Sequence, residues 1–354
     1  MSLVYSSPSL LKSIIAITEQ RDRGKLESSL VRGLFETIRA RHVTLHKLFQ
    51  ADGEDRVFAV VEFSNGRQVQ LQDEDIVFEN GYPLSDRPEF SACYRDGQPL
   101  TFEQPERKCF RYLYPIRKRG SVMAFLEINH DAALDEASQR VISGILSIYC
   151  NFLEILDYSE HDTLTGLLNR KTFDTNLLKI LAGLQPSEAA KVRPTLSRRR
   201  SRQSDFKHWM GVIDIDHFKR INDQFGHLYG DEVLLLLARL MRESFRFQDK
   251  LFRFGGEEFV VLLAPTEFSN ALSVFERFRQ NVEEFHFPQV GRVTVSLGFT
   301  EIQLIDNPTV VFGQADEALY FAKQNGRNRV CSYEKLVESG EIESQDTTSN
   351  IVFF

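Results

Sequence analysis

Residues 251–263, LFRFGGEEFVVLL, constrain the fold more than any other stretch of the chain. Two strand-like apolar runs flank Gly255, Gly256, Glu257 and Glu258. Adjacent glycines between such runs predict a tight hairpin, because two-residue turns need positive φ and glycine has no Cβ to clash. The turn is expected to set two carboxylates at its tip, beside backbone bare of side chains. Bare backbone admits a bulky anion, and carboxylates next to phosphate imply a cation between them. An ordinary surface hairpin with two solvated acids fits the same residues, so this stretch alone leaves both readings open.

A second stretch, VIDIDHFKRINDQFGHLYGD at 212–231, narrows the choice. Asp214 and Asp216 sit two apart in an apolar run, so on a strand they project from one face. Acids at the end of a buried strand are costly unless compensated. Mg²⁺ is the usual compensation, since it prefers carboxylate and phosphate oxygens. Lys219, Asn222, His227 and Asp231 follow on what reads as strand end, helix and loop.

Together these blocks resemble a diguanylate cyclase of the GGDEF family, with the signature in its GGEEF form at 255–259. DIDHFKRIND at 214–223 and GHLYGD at 226–231 match the same family. So do DTLTGLLNR at 162–170, TVSLG at 294–298 and ADEALYFAKQNGRNRV at 315–330. The resemblance covers residues 158–335. It implies condensation of two GTP into cyclic di-GMP with release of two pyrophosphates. It also implies Mg²⁺ or Mn²⁺, two per active site, held by Asp214, the Ile215 carbonyl, Glu257 and Glu258. Glu257 would be the base near the 3′-hydroxyl, and Lys219 would neutralise charge in the transition state. Asn222 and Asp231 would read the guanine edge, with His227 lining the site, while Gly255 and Gly256 admit the phosphates. Lys323 and Arg327 lie four apart, hence on one face of the last helix if it extends that far, where they could clamp the β- and γ-phosphates. Arg246 and Asp249 form the family's RxxD inhibitory site for the product, and Arg277 could add a clamp from a neighbouring subunit. A homodimer is implied, because each domain holds one GTP. Two other readings stay open: a silent domain that only binds GTP or cyclic di-GMP, and a cyclase making a different cyclic nucleotide.

The chain has 354 residues, room for two domains at about 100–200 residues each. Its net charge of −7 does not suggest a nucleic-acid binder. Cys93, Cys109, Cys150 and Cys331 show no metal-ligand spacing and read as reduced thiols, mostly buried. No signal peptide is apparent near residue 1, and no stretch approaches about 18 uncharged apolar residues, so neither a membrane span nor export is expected and the protein is read as cytoplasmic.

The expected architecture is α+β/α/β: an antiparallel-sheet sensor over 1–134, a linking helix over 135–160, a cyclase domain with a nucleotidyl-cyclase- or polymerase-palm-like sheet flanked by helices over 161–335, and a tail over 336–354. Two amphipathic helices over 9–40 precede strands at 42–49, 56–63, 67–71, 109–114 and 122–129, with a short helix at 87–96. That order resembles a GAF-type sensor with an unknown ligand; a PAS-type domain, or a spacer with no ligand, fits as well. Cys93 or Cys109 as an attachment point and His42, His46 or His130 as haem ligands are further alternatives. On the linking helix, Val141, Ile145, Ile148, Phe152 and Ile155 form one stripe, and Ile142, Leu146, Tyr149, Leu153 and Leu156 a second. The first could pack on the sheet and the second on a partner helix, and a single wide core face fits the same residues. Residues 185–207, with four arginines in five residues at 198–202, read as an inserted loop.

Overall fold

A computed structural model describes residues 7–51, 54–71, 80–118, 120–184, 206–303 and 307–343. The expectations for the basic insertion and for the apolar end of the tail fall on residues outside that set. The chain divides into two compact units, Met1–Ser159 and Glu160–Phe354.

The first unit opens with α1 (Ser7–Thr18) and α2 (Arg23–Ile38). Asp22 caps α2 by accepting from the Lys25 amide, which satisfies one of the orphan donors at a helix start. Next come β1 (His42–Ala51), β2 (Glu54–Ser64), β3 (Arg67–Gln70), β4 (Tyr82–Pro83) and α3 (Pro88–Asp96). The unit closes with β5 (Leu100–Gln104), β6 (Cys109–Lys118), β7 (Ser121–His130) and α4 (Glu136–Glu160). The strands form one antiparallel sheet in the order β3-β2-β1-β7-β6-β5, with β4 on β2. Strand β5 escapes a reading by sequence because it is a half-buried edge whose five residues alternate between intermediate and exposed.

Alternation sorts the sheet into two faces. Val43, Leu45, Tyr112, Tyr114, Leu126 and Ile128 join α1, α2 and α4 in one core. Leu113, Phe125 and Val57 join Phe90 and Cys93 of α3 in another. Both α4 stripes lean on the sheet as one wide core face, with Val141, Ile148 and Phe152 of the first packed part-buried against the same core as the second. Ile142, Leu146, Tyr149, Leu153 and Leu156 are buried on the sheet, together with Ile145, while Ile155 is 57% exposed. Each large apolar side chain so buried contributes about 1.5–3 kcal/mol. The two stripes have the same spacing, so periodicity alone could not choose between them. Among the described residues α4 alone is long and apolar enough to cross a membrane by length and composition; here its apolar face packs on the sheet. Cys93 is fully buried, and burial pushes its thiol up to about 12, which makes it a poor attachment nucleophile. His130 is engaged by the backbone of Ile38 and Ala132, and His46 by Glu127.

The second unit runs β8 (Leu168–Asn169), α5 (Arg170–Leu184), β9 (Lys207–Ile215), α6 (Phe218–Phe225) and α7 (His227–Ser244). It continues with β10 (Lys250–Gly255), β11 (Glu258–Thr266), α8 (Phe268–Glu284), β12 (His286–Phe287) and β13 (Gly291–Arg292). It ends with β14 (Val295–Glu301), α9 (Pro308–Gln324), β15 (Val330–Ser332) and α10 (Tyr333–Glu338). The main sheet has the order β15-β14-β9-β11-β10-β8. Its four central strands are antiparallel, and β8 and β15 lie parallel to their neighbours. On β9, Trp209, Ile213 and Ile215 face the core shared with α7 and α8. Met210 and Val212 face the core shared with α5 and α9. Helices therefore cover both faces, as the alternating pattern required.

Candidate active site

Strand period decides which side chains gather. Asp214 follows Met210 and Val212 in the even series of β9, so it falls on the α9 side. Glu258 stands directly opposite Asp214 in the β9–β11 register, in the same series as Val260 and Leu262. Gly298 brings α9 down onto this corner. A Cβ there would meet the Leu319 amide nitrogen at 2.1 Å and the Ala315 carbonyl oxygen at 2.2 Å. One helical turn beyond Leu319, Lys323 reaches back and places its Nζ 2.9 Å from Asp214 Oδ2.

The hairpin differs from its expected form. Gly255 pairs with Glu258 as the end of the ladder, so the two turn residues are Gly256 and Glu257. Only Gly256 has positive φ, +51°. A Cβ added at Gly255 or Gly256 would meet nothing within 4 Å. The fold itself therefore does not exclude a side chain at Gly255, and the bare backbone there is open to a ligand. Arg253 fastens the turn from behind. It donates to the Gly256 carbonyl through Nε at 3.1 Å and Nη2 at 2.8 Å, and to Asp162 Oδ1 at 3.0 Å. Asp162 also accepts from the amide and hydroxyl of Thr165. The DTLTG block thus supports the turn, a role that its sequence alone did not disclose.

The electrostatics of this corner are unbalanced. Burial raises the Asp214 carboxyl, and Asp216 and Asp316 add repulsion, against which Lys323 pulls it down. Burial and then Asp214 raise Glu257; burial, Asp214 and Asp316 raise Glu258. Asp316 of α9 and Arg170 of α5, whose charge lowers Glu258, are participants that sequence reading did not single out. The three carboxylates do not close to within 4.8 Å of one another, as expected of like charges with one ammonium among them. A set of hard oxygen donors that raise one another's affinity for positive charge suits a divalent cation of the Mg²⁺ class.

Asp216 is used differently from Asp214. It accepts from the hydroxyls of Thr294 and Ser296, each at 2.7 Å, and from the Asn328 amide at 3.0 Å. Strand β9 stops at Ile215, and His217 turns the chain at φ 60°, so the two-residue period no longer applies at Asp216. The polar TVS start of β14 was the signal for it, since buried hydroxyls need an acceptor.

The other expected site residues divide into three places. Lys219 is exposed on the first turn of α6. Asn222, His227 and Asp231 flank the α6–α7 corner, with His227 and Asp231 exposed and Asn222 half-buried. Asn222 packs over Gly230, where a Cβ would meet its Oδ1 at 2.0 Å. Arg327 does not share a helix face with Lys323. Helix α9 ends at Gln324, Gly326 takes φ 109° and Arg327 φ 60°, so Arg327 sits on a loop. Arg279, 9% exposed, holds that loop through Asn328 at 2.7 Å. In the expected inhibitory set, Asp249 spends both oxygens on backbone amides, those of Arg246 and Ala264, each at 2.9 Å. Arg277 donates to the Ser244 carbonyl at 2.7 Å, and its charge acts on Asp249 within the same chain.

Comparison with known proteins bears mainly on the second unit. Residues 159–329 match the family model for the diguanylate cyclase GGDEF domain. Over 230 residues the chain is 33% identical to diguanylate cyclase A of Treponema denticola, covering 62% of this chain and 58% of that one. It is 38% identical over 176 residues to diguanylate cyclase DgcM of Escherichia coli, covering 49% and 38%. Among solved structures, the GGDEF domain of DgcB from Caulobacter crescentus in complex with c-di-GMP is 31% identical, with a TM-score of 0.42, covering 49% of this chain and 96% of that one. The chain thus spans about half the length, or less, of these curated relatives.

Proposed function

Residues 159–329 make this chain a member of the diguanylate cyclase GGDEF family, and from that premise we propose that it condenses two GTP into cyclic di-GMP and two pyrophosphates. Each GTP 3′-hydroxyl attacks the α-phosphate of the other; two phosphodiester bonds form, two pyrophosphates leave, and each hydroxyl gives up its proton. The observation that carries this reading is the corner itself: Glu258 opposite Asp214, beside an open glycine backbone, with Lys323 brought in by α9.

Asp214, Glu257 and Glu258, with the Ile215 carbonyl, are the groups that would hold Mg²⁺ or Mn²⁺. When bound, such ions polarise the phosphate and favour the 3′-alkoxide. Glu257 lies in the turn with its carboxyl raised by burial and by Asp214, which suits a proton acceptor. The backbone at Gly255 and Gly256 would lie against the phosphates. Asn222 and Asp231 would select guanine by accepting from its ring N–H and amine. Lys219 and Arg327, both exposed, would meet phosphate charge. Since each domain holds one GTP, two copies must meet for turnover. The cluster of Arg246, Asp249 and Arg277 would bind the product, and the first unit would regulate the reaction.

Incubation of the purified chain with Mg²⁺ and GTP, and separately ATP, with products resolved by mass, tests the reading. Cyclic di-GMP from GTP alone is expected. No product would leave a silent binding module, and a product from ATP would mean a different cyclase.

A further inference from the structure

The first unit holds a cavity of about 680 Å³ on the α3 face of its sheet. That is within the range of small-molecule sites, about 300–1,000 Å³. Its wall combines apolar and aromatic groups with charge. Val57 and Phe90 are buried beneath it, His46 stands edge-on to Phe90 at 5.0 Å, and Tyr82 carries the Arg87 guanidinium 4.5 Å from its ring centroid.

The charges lining this cavity are of two kinds. Glu127 accepts from Arg111 at 2.9 Å and pairs with His46 at 3.1 Å, and Arg111 also reaches Glu89 at 3.2 Å. These groups satisfy one another and form a rigid polar wall. Arg87 and Arg107 line the same cavity and make no ion pair among the described residues. Asn129 lines it too, and its buried Oδ1 accepts no hydrogen bond. A buried acceptor without a donor costs about 1–3 kcal/mol.

We propose that this cavity binds a small aromatic anion: a planar ring stacked among Tyr82, Phe90 and His46, an acidic group on Arg87 and Arg107, and an N–H or O–H donor to Asn129. Arginine forks suit carboxylate and phosphate alike. Glu106 lines the cavity as well and makes no ion pair among the described residues, so the uncommitted charges are two guanidiniums against one carboxylate, a balance that favours an anion over a cation. The site lies wholly within the first unit, so its test does not depend on turnover.

The full-length chain is titrated by calorimetry with salicylate, indole-3-acetate and phenyl phosphate, with salicylamide and inorganic phosphate as the uncharged and ring-free controls. At least one aromatic anion is expected to bind while both controls do not, and whether the carboxylates or the aryl phosphate bind identifies the acidic group. Arg87→Gln and Asn129→Leu should each weaken that binding at least tenfold, with circular dichroism unchanged. Should one variant fail to fold, Arg107→Gln replaces it. Absence of binding by all three anions overturns the proposal. So does equal binding of inorganic phosphate or salicylamide, or binding that the variants leave untouched.

Discussion

Two carboxylate clusters, one in each unit, are held in opposite ways. In the first, Glu127 sits between His46 and Arg111; burial alone would raise its carboxyl, but these partners hold it down to about 2. In the second, Asp214, Glu257 and Glu258 are raised by burial and by one another, with Lys323 the ammonium that pulls against them. A carboxylate held low stabilises the fold. Carboxylates held high are a cost that a bound cation would remove, which is the mark of a site.

The contrast is broken most severely by Glu257→Gln. Turnover should fall on the order of 10²- to 10⁴-fold, the range for a lost acid or base, while the denaturation midpoint stays equal or rises because one repelling charge is gone. A turnover assay beside urea unfolding checks both halves; lower stability would mean that Glu257 is structural.

Glu127 should behave in the reverse sense. Its folded value lies below the ordinary 4.5, so the folded state binds fewer protons between pH 4.5 and about 2. The stability it contributes, up to about 3 kcal/mol, is complete above that window and is lost as pH falls through it. Glu127→Gln should destabilise the first unit at pH 7 and flatten its acid unfolding. An unchanged acid limb would show that the His46–Glu127–Arg111 link carries no such energy.

Gly298→Ala tests how the corner is assembled. The added methyl meets α9 backbone, so about 1–3 kcal/mol of stability should be lost, with activity falling as Lys323 withdraws. Unfolding of the second unit measures the first effect. The smallest change in stability belongs to Arg246→Ala, within about 0.5 kcal/mol for an exposed side chain. Inhibition by cyclic di-GMP should nonetheless weaken, and an unaltered inhibition curve would remove Arg246 from that role.

Much of this was legible in residue order. Strand-like apolar runs marked β9, β10 and β11, the family resemblance marked β14, and the glycine pair marked the hairpin. Sequence could not show that the turn takes only one of those glycines, because Gly255 still pairs with Glu258. Nor could it show that Lys323 and Arg327 part company, since the positive φ of Gly326 and of Arg327 itself ends the helix geometry. Contacts far apart in sequence were hidden altogether: Asp162 on Arg253, Asp216 on Ser296, and Asp316 near Glu258. In the first unit the sequence did not single out Arg111, Glu127 or Asn129, because the partners that make a polar strand position face inward lie far away in the chain.

The central claim is that Asp214 and Glu257 are repelling acids which a divalent cation joins. Crystals of the chain grown with Mg²⁺ and a non-hydrolysable GTP analogue test it most directly. One ion ligated by both carboxylates, with Lys323 released from Asp214 toward phosphate, is the expected result. An ion held by neither, with the Asp214–Lys323 pair intact, would contradict it.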